Sequence, residues 1–80
     1  MEKYVFTIDE DENIGTTVRL ASIEDFDEGN LSSYDFSDDI REFMDEIGSE
    51  LMEGIWEISD IDETIKKLLS KGFIENKLKN

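Results

Sequence analysis

Between residues 9 and 46 the chain carries fourteen acidic side chains against only Arg19 and Arg41. Ionised carboxylates are almost never buried without a partner. Any fold must therefore hold this stretch's acids in water and draw its core from the apolar residues threaded between them. Those apolar residues recur with two different periods. Residues 3–8, KYVFTI, alternate, with Tyr4, Phe6 and Ile8 on one side and Val5 and Thr7 on the other, which reads as a β-strand. Residues 15–23, GTTVRLASI, read as a second strand. Val18 and Leu20 share a parity that Ile23 breaks, so a bulge or an early end is expected near Ala21 and Ser22. Asn13 and Gly15 tolerate positive φ, and the two strands form a hairpin near 3–23.

Residues 24–36 lack periodicity and contain Gly29, Asn30 and two serines, so they read as a loop that Phe26, Leu31, Tyr34 and Phe36 pin to the core. Ser37 then caps a helix with Asp38 and Asp39 in its first turn, where the dipole favours anions. Ile40, Phe43, Met44, Ile47 and Leu51 recur at three- and four-residue steps, and Gly54 suits a left-handed stop, which predicts a helix over about 38–53. Gly48 inside it costs about 1 kcal/mol relative to Ala, a sign of another backbone passing close by. Ile55–Ile58 reads as a short third strand. Asp60 and Glu63 have capping-box spacing ahead of Ile61, Ile65, Leu68 and Leu69, predicting a second helix over about 60–71 that Gly72 ends. Phe73 and Ile74 are a candidate short strand, and residues 75–80 are expected to fray. The expected architecture is one α+β domain spanning 1–80, an antiparallel sheet of about three strands with both helices on one face.

Composition narrows the chemistry. Eighty residues with 38% hydrophobic content, five Phe, two Tyr and Trp56 suffice for one aromatic-rich core. The chain has no Cys and no His. Without them it lacks disulfides, thiolate ligands and the commonest general base, so a reducing, cytoplasmic home and a non-enzymatic role are expected. No segment approaches the ~20 apolar residues of a membrane span. Asp9, Asp11 and Asn13 match the first, third and fifth ligands of a calcium loop, but Ile14 stands where Gly is needed and Leu20 where a bidentate Glu is needed. The five glycines are scattered and form no phosphate cradle. Neither a metal nor a cofactor is expected.

The formal net charge is −14, yet residues 64–80 hold five lysines and only Glu75. A field so segregated repels nucleic acid and anionic membranes and attracts basic protein surfaces. Within the first helix, Asp38, Glu42, Glu46 and Glu50 stand at successive i, i+4 positions, widened by Asp45, Ser49 and Glu53. Each like-charged step costs roughly 0.2–0.5 kcal/mol. A surface shaped for solubility alone mixes signs. The row, at about 6 Å per step, matches the spacing of phosphates along a nucleic-acid strand. The candidate partner-binding residues are therefore Asp9, Glu10, Asp11 and Glu12 in the acidic turn, Glu24, Asp25, Asp27 and Glu28 in the loop, and Asp38, Glu42, Asp45, Glu46 and Glu50 in the helix.

In size, in charge and in the arrangement of that helical row, the chain resembles the small acidic DNA-mimic inhibitors that phages and mobile elements encode against restriction or CRISPR effectors. The resemblance includes no shared sequence motif. It implies a protein partner of the host, the basic nucleic-acid-binding surface of an effector, with no direct contact to nucleic acid. An immunity protein or antitoxin that neutralises a basic nuclease toxin uses the same physics against one dedicated partner. A third reading is an adaptor docking through apolar contacts at Trp56 or Tyr34, although Ile55 and Ile58 beside Trp56 favour a core position.

Overall fold

The computed structural model describes residues 3–77. It is an α+β fold with a five-stranded mixed sheet and three helices, in the order β1 (Tyr4–Asp11), β2 (Gly15–Ser22), α1 (Ile23–Asp27), α2 (Asp38–Ile47), β3 (Ser49–Met52), β4 (Ile55–Glu57), α3 (Ile61–Ser70) and β5 (Ile74–Glu75). Across the sheet the strands run β3-β4-β2-β1-β5. The expected hairpin is present, pairing Tyr4 with Ser22 and Asp11 with Gly15. Gly15 takes φ of 100°, and no residue other than glycine has a positive φ among the described residues, so Asn13 does not share that role. Instead Asp11 closes the turn, its Oδ1 accepting from the N–H of Asn13 at 2.7 Å and of Ile14 at 3.0 Å.

One strand, β3, and one helix, α1, were not expected, while β5 falls at the candidate strand of Phe73 and Ile74. α1 is a five-residue helix inside the presumed loop, started by Ser22, whose Oγ accepts from the N–H of Asp25 at 3.2 Å. The helix expected over 38–53 ends at Ile47, and residues 49–52 form β3. The cause lies outside the helix. The backbone of Glu57 passes so close to Gly48 that a Cβ there would stand 2.2 Å from the Glu57 carbonyl oxygen. Gly54, read as the helix stop, instead sits with φ of 82° between β3 and β4, packed on Ser32 and Ser33. The C-terminal segment expected to fray is partly ordered. β5 pairs with β1 in parallel, which makes the sheet mixed, and Asn76 donates from its N–H to the Phe6 carbonyl at 2.8 Å and from Nδ2 to Thr7 Oγ1 at 3.0 Å. Residues 78–80 of the expected fray lie outside the described residues.

The alternation read from the sequence places Tyr4, Phe6, Val18, Leu20 and Trp56 on one sheet face, and α2 and α3 cover it with Met44 and Leu68 at the centre. Aromatic rings join the layers: Phe36 lies 5.9 Å from Tyr4 and 5.7 Å from Trp56, and Phe73 lies 5.4 Å from Tyr4 and 5.9 Å from Phe43. Trp56 is fully buried, whereas Tyr34 is 73% exposed. No helix is long and apolar enough to cross a membrane among the described residues.

Candidate functional site

The acids divide into those the fold uses and those it leaves to solvent. Asp9 Oδ2 accepts from Arg19 Nε at 2.8 Å across the hairpin. Asp11 closes the turn, and the two backbone N–H groups it accepts, that of Asn13 foremost, hold its carboxyl below the usual aspartate range. Asp25 Oδ2 accepts from Ser33 Oγ at 2.5 Å, while Ser33 Oγ accepts from the N–H of Ser22 at 2.7 Å, so this carboxylate ties α1 to the loop that follows. Asp45 Oδ1 accepts at 3.0 Å from Nε1 of Trp56, the polar atom of the largest core side chain. Glu50 lies on β3 rather than α2, where Arg41 reaches both it, at 3.1 Å, and Glu53, at 3.5 Å.

The remaining candidates, Glu10, Glu12, Glu24, Asp27, Glu28, Asp38, Glu42 and Glu46, are exposed and have no side-chain hydrogen bond or ion pair with another described residue. They do not form one cluster in the way the sequence suggested. Glu10 and Glu12 sit at the tip of the β1–β2 hairpin, and the group at 24–28 follows its other end, roughly 24 Å away along two eight-residue strands. α2 joins the two ends. Its entry residue Phe36 packs on Tyr4, beside the Ser22 end of the hairpin, and its last turn, with Asp45 and Glu46, lines a cleft with Gly15 and Thr16 at the tip end. The i, i+4 row is thus three carboxylates long, Asp38, Glu42 and Glu46, because Gly48 redirects the chain before Glu50.

The fold adds Glu57, which lines the same cleft as Asp45 and Glu46. Its sequence signal was period-two alternation, since the neighbour of a buried Trp56 in a strand must face the other way. Asp39, exposed in the first turn of α2, also adjoins the row.

Among the described residues no lysine forms an ion pair with this surface. Lys66 and Lys67 of α3 and Lys71 at its C-cap line a groove together with Glu63, its α2 wall is Phe43, and Lys71 Nζ lies 5.1 Å from the centre of that ring. None of the three forms an ion pair with a carboxylate among the described residues. α2 carries five acids against Arg41, whereas α3 sets Asp62 and Glu63 in its first turn against Lys66 and Lys67, with Lys71 at its C-cap. Among the described residues no group of three or more acidic side chains is placed to hold a metal ion. No family model, curated protein or solved structure matches the chain.

Proposed function

We propose that the protein is a non-enzymatic inhibitor that occupies the basic nucleic-acid-binding surface of a target protein, such as a CRISPR or restriction effector, with carboxylates in place of phosphates. One observation carries this reading. Asp38, Glu42 and Glu46 stand exposed along one face of α2, at about 6 Å per step, and among the described residues they have no ion-pair partner, the lysines of the neighbouring helix included. Three like charges so arranged destabilise an isolated helix, and a cationic groove that receives them converts that repulsion into attraction. Lys and Arg side chains of the target pair with the row by charge-assisted hydrogen bonds, and the net charge of −14 steers the encounter. The hairpin-tip acids Glu10 and Glu12 and the α1 acids Glu24, Asp27 and Glu28 extend the contact beyond the two ends of α2.

The test is capture of the target from a host lysate, nuclease-treated, at low and at high salt, followed by a DNA- or RNA-binding assay on the captured protein. The expected result is a salt-weakened complex in which the target no longer binds nucleic acid. Reversal of Asp38, Glu42 and Glu46 to Lys abolishes that complex while the circular dichroism spectrum is retained. Glu50, already committed to Arg41, is the control position. Capture at unchanged affinity by the triple reversal would remove the proposal.

A further inference from the structure

The two edges of the sheet are not alike. β5 is two residues long and is soon followed by Lys77, whereas β3 is four residues long and carries neither lysine nor proline. Edge strands are usually blunted by shortness, lysine, proline or bulges, because open backbone groups recruit other strands. β3 has a bulge between Glu50 and Met52, and all four of its residues are exposed.

Ladder geometry identifies the backbone groups that stay open. Ile58 donates to the Thr16 carbonyl and Leu20 to the Gly54 carbonyl. By alternation Trp56 turns its N–H and C=O towards Val18 of β2, and Ile55 and Glu57 turn theirs towards β3. Ser49 and Met52, opposite Glu57 and Ile55, therefore direct their N–H groups to β4. In a planar trans peptide the carbonyl preceding an N–H points the other way, which sends the Gly48 and Leu51 carbonyls outwards. Glu50, opposite Trp56, turns both its N–H and its C=O outwards. Outside the sheet, no hydrogen bond from another described residue reaches these four groups.

One donor against three acceptors makes the open edge electronegative in itself, and side chains add to that. Glu53 in the turn and Glu57 on β4 are exposed beside it, and Arg41 is divided between Glu50 and Glu53. Lys3 and Lys77 adjoin β1 and β5, on the other side of the sheet. Glu50, opposite Trp56, shares the helix-covered face, and Met52, opposite Ile55, shares the other face and is 62% exposed.

We infer that the outer edge of β3 takes up an extended, basic segment of a partner protein as an added strand, its alternate residues basic where they face Glu50 and apolar where they face Met52. Charge rejects a second copy of this chain as the occupant, since antiparallel pairing of two β3 edges about Glu50 sets Glu50 against Glu50 between two chains of charge −14. A strand of four residues offers a short ladder, so the contact is weak when the segment is presented alone. The inference does not rest on the proposed inhibitory role: that role uses the row on α2, this contact uses β3, and different variants read the two.

The probe is a short, end-capped peptide of alternating Lys and Val, titrated to millimolar concentration into the isotope-labelled full chain at low salt. Saturable amide shift changes are expected at residues 48–52, with hydrogen exchange at the Glu50 N–H slowed several-fold. The same peptide N-methylated at its central residues keeps its charge but cannot form the ladder, and it is expected to leave both signals unchanged, as is a Glu and Val counterpart. Glu50→Lys and Met52→Lys are each expected to weaken binding several-fold, with circular dichroism establishing their fold. Absence of binding, equal binding of the N-methylated peptide, shift changes confined to α2 or the hairpin tip, or unchanged affinity in both variants would each overturn the inference. Shifts at β3 that depend on chain concentration without peptide would make a second copy the occupant and overturn it likewise.

Discussion

α2 and α3 are ten-residue amphipathic helices packed on the same sheet face, and they treat charge in opposite ways. Each has a side-chain N-cap, Ser37 Oγ accepting from Ile40 and Asp60 Oδ1 accepting from Glu63, and each has two acids in its first turn. They diverge at the other end. α3 places Lys67 in its last turn and closes with the N–H groups of Gly72 and Phe73 donating to Leu69 and Leu68, which suits the negative end of the helix dipole. α2 has no base in its last turn and carries Asp45 and Glu46 there. Helix stability alone explains α3. It does not explain α2, whose stop is imposed by a neighbouring strand and whose terminal acids serve either the core, as Asp45 does, or nothing within the described chain, as with Glu46.

The largest effect is expected where a strand ends α2. Gly48→Ala forces a Cβ against the Glu57 carbonyl and 3.0 Å from Ile58 Cγ2. Overpacking against backbone costs about 3 kcal/mol, which lowers Tm by 10 °C or more in a domain of this size, roughly 4–8 °C per kcal/mol. An unchanged Tm by calorimetry would mean that α2 stops for a local reason, as α3 does. Next, Asp45→Ala strands Nε1 of the buried Trp56 and is expected to cost about 1–3 kcal/mol in urea unfolding. Asp45→Asn, which keeps an acceptor, is expected to retain most of that stability. Equal losses in the two variants would show that the charge of Asp45, rather than its hydrogen bond, is what α2 needs.

A smaller and opposite pair sharpens the contrast. Glu46→Lys is expected to stabilise the fold by about 0.3–1 kcal/mol, and Lys67→Glu to destabilise it by a similar amount, because the same dipole is opposed in one helix and satisfied in the other. Destabilisation by Glu46→Lys would show that the carboxylate has a partner in the fold. The smallest effect concerns Asp11, at the hairpin tip. Its folded carboxyl titrates below the ordinary value because ionised oxygens accept from Asn13 and Ile14. Its contribution to the turn is therefore complete above the ordinary aspartate range, about 3.9, and is lost as pH falls through the lower folded value. A carboxyl chemical-shift titration is expected to place its midpoint below the ordinary value, and a midpoint at or above that value would contradict the turn geometry.

Much of the architecture was legible because it is written in local terms. Alternation in Tyr4, Phe6 and Ile8 identified the hairpin face, Ser37 and Asp60 marked the helix starts, and Gly72 marked an end. Buried Trp56 followed from its apolar neighbours. β3 was not legible, since Leu51 continues the helical spacing of Ile47 and the reason for breaking it is a strand several residues further on. Leu51 is 48% exposed as a result. α1 was hidden because its five residues show no usable period. Of the candidate surface, the sequence displays the charge but not the geometry: Asp9, Asp11, Asp25, Asp45 and Glu50 have partners that sequence spacing cannot supply, and Glu57 joins the cleft only through sheet pairing.

The order of residues alone determined that acids crowd the middle of the chain, that bases gather near its end, and which residues cap and stripe the helices, because capping and periodicity act within a few residues. Tertiary structure decided where α2 stops, that β5 joins the sheet in parallel, and which carboxylates are held within the fold or left in solvent. Those outcomes depend on segments far apart in sequence meeting at contact distance, and at such distances excluded volume and hydrogen bonding outweigh a local preference of about 1 kcal/mol or less per residue.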